Sequence, residues 1–207
     1  MPGFGNNLFR VDPVRAALRA SWVTVSWSVG SGIASLVVGL LAGSLSLGGL
    51  GASVLVDVVS SAVLIWRFRR ERDSTAFPES AERRAQTVAA LGLLAIGIGL
   101  AATGVQHLVA HRHPSAPVVA LALAAANLVV LPLLGRWKYA VAALIGSRAL
   151  RTDAHITMVG TSTAAVTLLG LGLDRAFGWW WADATAALII AVVAADQGRR
   201  SLGSASH

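Results

Sequence analysis

The sequence predicts an all-α integral membrane protein, a bundle of six transmembrane helices, on three observations. Of its 207 residues, 55% are hydrophobic and only 13% charged, about half the charged share of a soluble domain. The apolar residues gather into six runs, most of them about 20 residues long, the length a helix needs to cross the hydrocarbon core. The basic residues lie between these runs and crowd into every second connection, the asymmetry that sets membrane orientation.

The first run extends from Leu18 to Ala42. The residues before it lack the short apolar core and small-residue cleavage site of a secretory signal, so this span is expected to act as its own insertion signal. The second covers Leu45 to Trp66, the third Thr87 to Val109 and the fourth Ala116 to Leu134. The fifth covers Ala154 to Leu173 and the sixth Trp180 to Ala195. Small residues inside them, such as Gly32, Gly39, Ala95 and Gly99, allow helix backbones to approach closely. Trp66, Trp137 and the run Trp179, Trp180, Trp181 stand at expected span ends, where an amphipathic ring prefers the interface. Asn127 and Pro132 in the fourth span predict an interhelical hydrogen bond and a kink. No long linker interrupts the series, so residues 1–200 are expected to form one membrane domain and 201–207 a short cytoplasmic tail.

One set of connections holds fifteen Arg and Lys residues: Arg10, Arg15, Arg19, Arg67, Arg69, Arg70, Arg72, Arg83, Arg84, Arg136, Lys138, Arg148, Arg151, Arg199 and Arg200. The opposite set holds two, Arg112 and Arg175. With six spans, this split predicts both termini in the cytoplasm and a location in the plasma membrane. A net charge of +7 does not make nucleic acid a partner, because the basic residues form short clusters beside apolar runs rather than a stripe. Their expected partners are lipid headgroups. There are no cysteines, hence no disulfides and no thiolate metal site. No nucleophile-and-base set, phosphate loop or HExxH motif occurs, so neither an enzyme nor an ATP-driven pump is expected.

Asp57 is the residue most expected to carry function. It lies near the middle of the second span, where insertion of an Asp costs about 2.5–3.5 kcal/mol and such a residue normally marks an ion or substrate path. Ser53, Ser60 and Ser61 share its helix face, and a carboxylate among hydroxyls suits a divalent cation that keeps part of its water. At the start of the fifth span, Asp153, Thr157, Gly160 and Thr161 fall within about 100° on a helical wheel. Asp153 fits either a helix N-terminal cap or a site. His155 projects to the other side of that helix. His107, His111 and His113 cluster at the outer end of the third span, with the first two at i and i+4; either a solvated loop or a cation-capturing mouth fits them. Asp183, in the first turn of the sixth span, suits the positive end of the helix dipole.

These residues carry a resemblance. The chain resembles the transmembrane domain of the cation diffusion facilitator (cation efflux) family over about residues 15 to 200, in particular a bacterial branch without a C-terminal cytoplasmic domain. GSLSLGGLGASVLVDVVSSAVLIWRFRRE is similar to that family's second span and ERRAQTVAAL to its entry into the third. GSRALRTDAHITMVG and GLGLDRAFGWWWADATAALIIA are similar to its fifth and sixth spans. The resemblance implies a cation-efflux-like fold of six helices, a homodimer and proton-coupled export of Zn²⁺ or a similar divalent cation, with no resident cofactor. It places ligands at Ser53 and Asp57 and at Ile156 and Gly160, and further polar groups at Ser28, Ser31 and Thr103. Asp57, Ser53, Asp153, Thr157 and His155 are the side chains expected to hold the metal. The alternative expectation is a diverged, non-transporting membrane scaffold or partner subunit of the same fold.

Overall fold

The structure, a computed structural model, describes residues 13–72, 79–111 and 117–205. Arg10, Arg112 and His113 lie outside these residues, as do the side chains of Arg15, Arg67, Arg72, Arg83, Arg84 and Arg148. Six helices account for nearly all of the described chain: α1 (Pro13–Ala42), α2 (Leu45–Arg72), α3 (Glu79–Val109), α4 (Val118–Ile145), α5 (Arg148–Phe177) and α6 (Trp181–Ala205). At 25 to 31 residues each, they measure about 37–47 Å at 1.5 Å per residue, more than the hydrocarbon thickness.

The helices outrun the apolar runs, through polar flanks at the ends of α2 and α6 and, in α4, through a further apolar stretch beyond Arg136 and Lys138. The largest difference is in α4, expected to stop at Leu134 and continuing to Ile145. Arg136, Trp137 and Lys138, placed by the sequence in a connection, are therefore helical. In the same way α6 runs on to Ala205, through much of the segment expected to be a tail. Among the described residues, five helices are long and apolar enough to span a membrane. The sixth, α6, has an uncharged stretch of only twelve residues, Ala184 to Ala195, between Asp183 and Asp196.

Turns between consecutive helices are short where glycine permits. Gly43, Gly146 and Gly178 all adopt φ of 67–68°, the left-handed conformation that ends a helix without a Cβ clash. The Gly178 N–H closes α5 onto the Asp174 carbonyl at 2.8 Å.

Three helix pairs pack most extensively: α1 with α2, α3 with α6, and α4 with α5. The pairs α1–α2 and α4–α5 meet to form a four-helix body, and the α3–α6 pair lies against its α2 and α5 side. Glycines set the closest approaches. A Cβ at Gly39 would lie 2.6 Å from the Gly48 backbone nitrogen, and one at Gly51 would lie 2.6 Å from that of Leu36. Between α3 and α6, a Cβ at Gly97 would come within 2.9 Å of the Ala191 carbonyl. Leu40, Leu41, Val109, Leu144 and Val192 point outward and are 70–83% exposed, as a lipid-facing surface requires. The expected bond from Asn127 is present: its Oδ1 accepts from the Trp27 indole at 3.2 Å, joining α4 to α1.

Inside the four-helix body the packing is layered. One apolar core holds Leu47, Leu50, Val54, Ala124, Leu131, Ala164 and Leu171. A second, toward the other end, holds Ala17, Leu64, Val141, Ala142 and Leu150. Between them, on α2, α4 and α5, stand Asp57, Ser61, Lys138, Asp153 and Thr157, all buried.

Candidate functional site

Asp57 sits in the middle of α2, 4% exposed. Its two carboxylate oxygens lie 3.3 and 3.4 Å from the Thr157 hydroxyl of α5. Asp57 and Thr157 line a cavity of about 20 Å³ together with Ser53, Ile156, Gly160, Thr163 and Gln197, enough space for a water molecule or a small cation. Leu93, Leu131 and Ile190 supply apolar wall, so the cavity lies at the seam between the four-helix body and the α3–α6 pair. The positions named by the resemblance, Ser53, Asp57, Ile156 and Gly160, all reach this one cavity. The last two offer no side-chain oxygen or nitrogen. The Ser53 hydroxyl donates to the Leu50 carbonyl at 2.9 Å.

Asp153 belongs to a second group adjoining the first. It does not cap α5: Ser147 does, accepting from the Leu150 N–H at 3.3 Å. Asp153 is 1% exposed and accepts from Ser60 at 2.9 Å and from Ser61 at 3.2 and 3.3 Å. Its principal partner is Lys138, whose Nζ is 2.6 Å from Oδ2. That ammonium also donates to Thr157 Oγ1 at 2.9 Å and to Ser61 Oγ at 3.0 Å. Its three N–H donors thus have three oxygen acceptors, and the side chain is fully buried. Thr157 joins the two groups, since its oxygen accepts from Lys138 while its proton faces Asp57 and the Asp153 carbonyl.

Lys138 corrects the sequence reading, which placed it in a connection as an orientation charge. The helix runs past it, and its ammonium turns inward to a carboxylate that needs a counter-charge. One signal pointed there. Among seventeen basic residues Lys138 is the sole lysine, the one compact ammonium in a chain whose other basic side chains are all guanidinium. Gln197 was also missed. Its Nε2 is buried without a hydrogen-bond partner, and the residue lines the cavity; lying just beyond the last apolar run, next to Asp196, it gave no signal in the sequence.

His155 is not brought to the cluster. It is exposed, and its Nδ1 lies 3.4 Å from the Tyr139 hydroxyl, on the side of α5 away from Asp57. Nor do His107 and His111 form an i, i+4 pair, because α3 ends at Val109 and His111 lies in the following turn with φ of 49°. The His111 ring packs against Trp180 at 4.8 Å between centroids. Among the described residues no three His, Cys, Asp or Glu side chains converge.

Asp183 does more than face its own helix dipole. It accepts from the Ser44 hydroxyl at 2.7 Å, from the Leu45 N–H at 2.8 Å and from the Ser46 hydroxyl, so an α6 carboxylate caps the N-terminus of α2.

A model of the cation efflux transmembrane domain matches residues 21–206. Among curated proteins, transmembrane protein 163 of Xenopus laevis is 23% identical over 191 residues, which cover 91% of this chain and 66% of that protein. The chain therefore spans just under two thirds of that relative's length.

Proposed function

We propose, starting from the fact that the chain belongs to the cation efflux family, that it carries a divalent cation such as Zn²⁺ across the membrane by way of the cavity at Asp57. The family is one of multi-pass membrane cation transporters, and one observation supports the finer reading. Asp57 and Thr157, on different helices, meet at 3.3 Å on the wall of a water-sized cavity. In this reading Asp57 is the charged ligand and the Thr157 oxygen joins it, Ser53 and the Gln197 amide face the ion's remaining water, and Asp153 supports the site from behind. A partly hydrated hard or borderline cation suits such an oxygen set better than a tightly tetrahedral one does. Export coupled to inward proton movement, a homodimer, the plasma membrane and cytoplasmic termini complete the proposal, the last from the split of arginines between the connections.

The decisive experiment is Zn²⁺ and Cd²⁺ flux into proteoliposomes, with an imposed pH gradient, for wild type and Asp57→Ala. Loss of flux in the variant is expected; unchanged flux would end the carrier reading. A second reading, a non-transporting subunit of the same fold, draws on a different observation. Asp153 already holds a cation of the protein's own, at 2.6 Å. In that case neither protein would carry metal in the vesicles.

A further inference from the structure

The polar layer contains its own cation. Lys138 Nζ is fully buried and surrounded by oxygens of Asp153, Thr157 and Ser61 at 2.6, 2.9 and 3.0 Å. Carboxylate and hydroxyl oxygens around one positive centre are also what a hard metal ion would require. The ammonium is one hydroxyl away from Asp57, because the Thr157 oxygen that accepts from it also approaches both Asp57 oxygens. Formally, two carboxylates face one ammonium, leaving a single negative charge. A divalent ion at Asp57 would then meet a fixed positive charge in a buried layer between two apolar cores, where charge repulsion is poorly screened.

We infer that Lys138 is a tethered counter-ion that holds the shared oxygens of the unloaded site and competes with a divalent cargo for them. It neutralises Asp153 when the cavity is empty, so the protein need not keep two bare carboxylates in its interior. When cargo arrives at Asp57, the Thr157 oxygen turns from the ammonium to the metal, and Lys138 remains with Asp153 and Ser61 alone. Lys138 therefore sets how tightly the site holds a divalent ion. This inference deepens the carrier reading and rests on it.

The test uses the full chain in detergent micelles and Cd²⁺ as the probe. Calorimetric titration should show Lys138→Met binding Cd²⁺ about tenfold or more tightly than wild type, as removal of a nearby like charge requires. Adding Asp57→Asn should erase the gain. Equal or weaker binding by a folded K138M overturns the inference, as does absence of binding in both proteins, whereas binding by K138M alone supports it. Should K138M not fold, wild type still decides. Because the chain has one lysine, ¹³C- and ¹⁵N-lysine labelling gives a single ammonium resonance. That resonance should move on Cd²⁺ addition and stay still in Asp57→Asn; a resonance unmoved in wild type at saturating Cd²⁺ overturns the inference. The two failures are separable. Transport surviving Asp57→Asn sinks the carrier itself, while transport lost in Asp57→Asn with Lys138 indifferent to metal sinks only its role.

Discussion

Lys138 and Asp153 show how an interior ion pair is tolerated. Each charge is buried, and each has hydrogen bonds beyond the pair, Lys138 to Thr157 and Ser61 and Asp153 to Ser60 and Ser61. Removing one partner leaves the other uncompensated, so Lys138→Ala is expected to destabilise the protein by about 3–5 kcal/mol. Removing both, as Lys138→Met with Asp153→Asn, should cost far less, because no bare charge remains. Thermal unfolding of the three proteins in the same detergent checks this ordering, and equal losses for single and double variants would refute it. Asp183 carries a comparable load at the other end of the bundle. Asp183→Ala would leave the Ser44 and Ser46 hydroxyls and the Leu45 N–H without their acceptor, at a cost of about 1.5–3 kcal/mol, read as a lower unfolding temperature.

At the scale of the element, the α1–α2 pair depends on the absence of side chains. Gly39→Ala would drive a methyl into the Gly48 backbone, and backbone cannot rotate away, so a loss of about 1–3 kcal/mol is expected. Gly99→Ala is the control: nothing lies within 4 Å of its added Cβ, and alanine is the better helix former, so stability should hold or rise. The six helices were legible in the sequence because apolar runs report directly on where a chain meets lipid. Their ends were less so, since a run such as Gly135 to Lys138 reads as a connection unless the acceptors waiting in α2 and α5 are known. Asp57 was legible for the same reason as the helices: a carboxylate among apolar residues stands out. Asp153 was ambiguous because both a cap and a cross-helix partner want an acid early in a helix. Only the positions of Ser147 and Lys138 distinguish them.

For the molecule as a whole, contacts between connections fix which ends lie together. Asp183 of α6 reaches the start of α2, and His111 packs on Trp180, so the α1–α2, α3–α4 and α5–α6 connections share one end. Arg69 lies over the Trp22 ring at 5.3 Å, bringing the arginine-rich end of α2 to the first turns of α1. The proposed orientation puts that arginine-rich end in the cytoplasm. The chain has no cysteine, so single introduced thiols report topology without background. A membrane-impermeant maleimide added to intact cells should label Ala110→Cys and spare Ser204→Cys until the membrane is opened. The reverse pattern would invert the orientation. With α1 held to α2 and α3 to α6 by glycine contacts, each pair is a unit, and Asp57 and the cavity lie where α2 and α5 meet the α3–α6 pair.

The apolar cores on either side of the polar layer bear on leakiness. In the carrier reading, an ion beside Asp57 has apolar packing on either side, Val54 and Leu131 one way and Leu64 and Val141 the other. Escape to either compartment needs one barrier to part, whereas a continuous wire of water needs both to part together. If the barriers open independently, the chance of a through-path is the product of two small chances. A membrane holding many copies of this protein would then keep its electrochemical gradients while each copy idles.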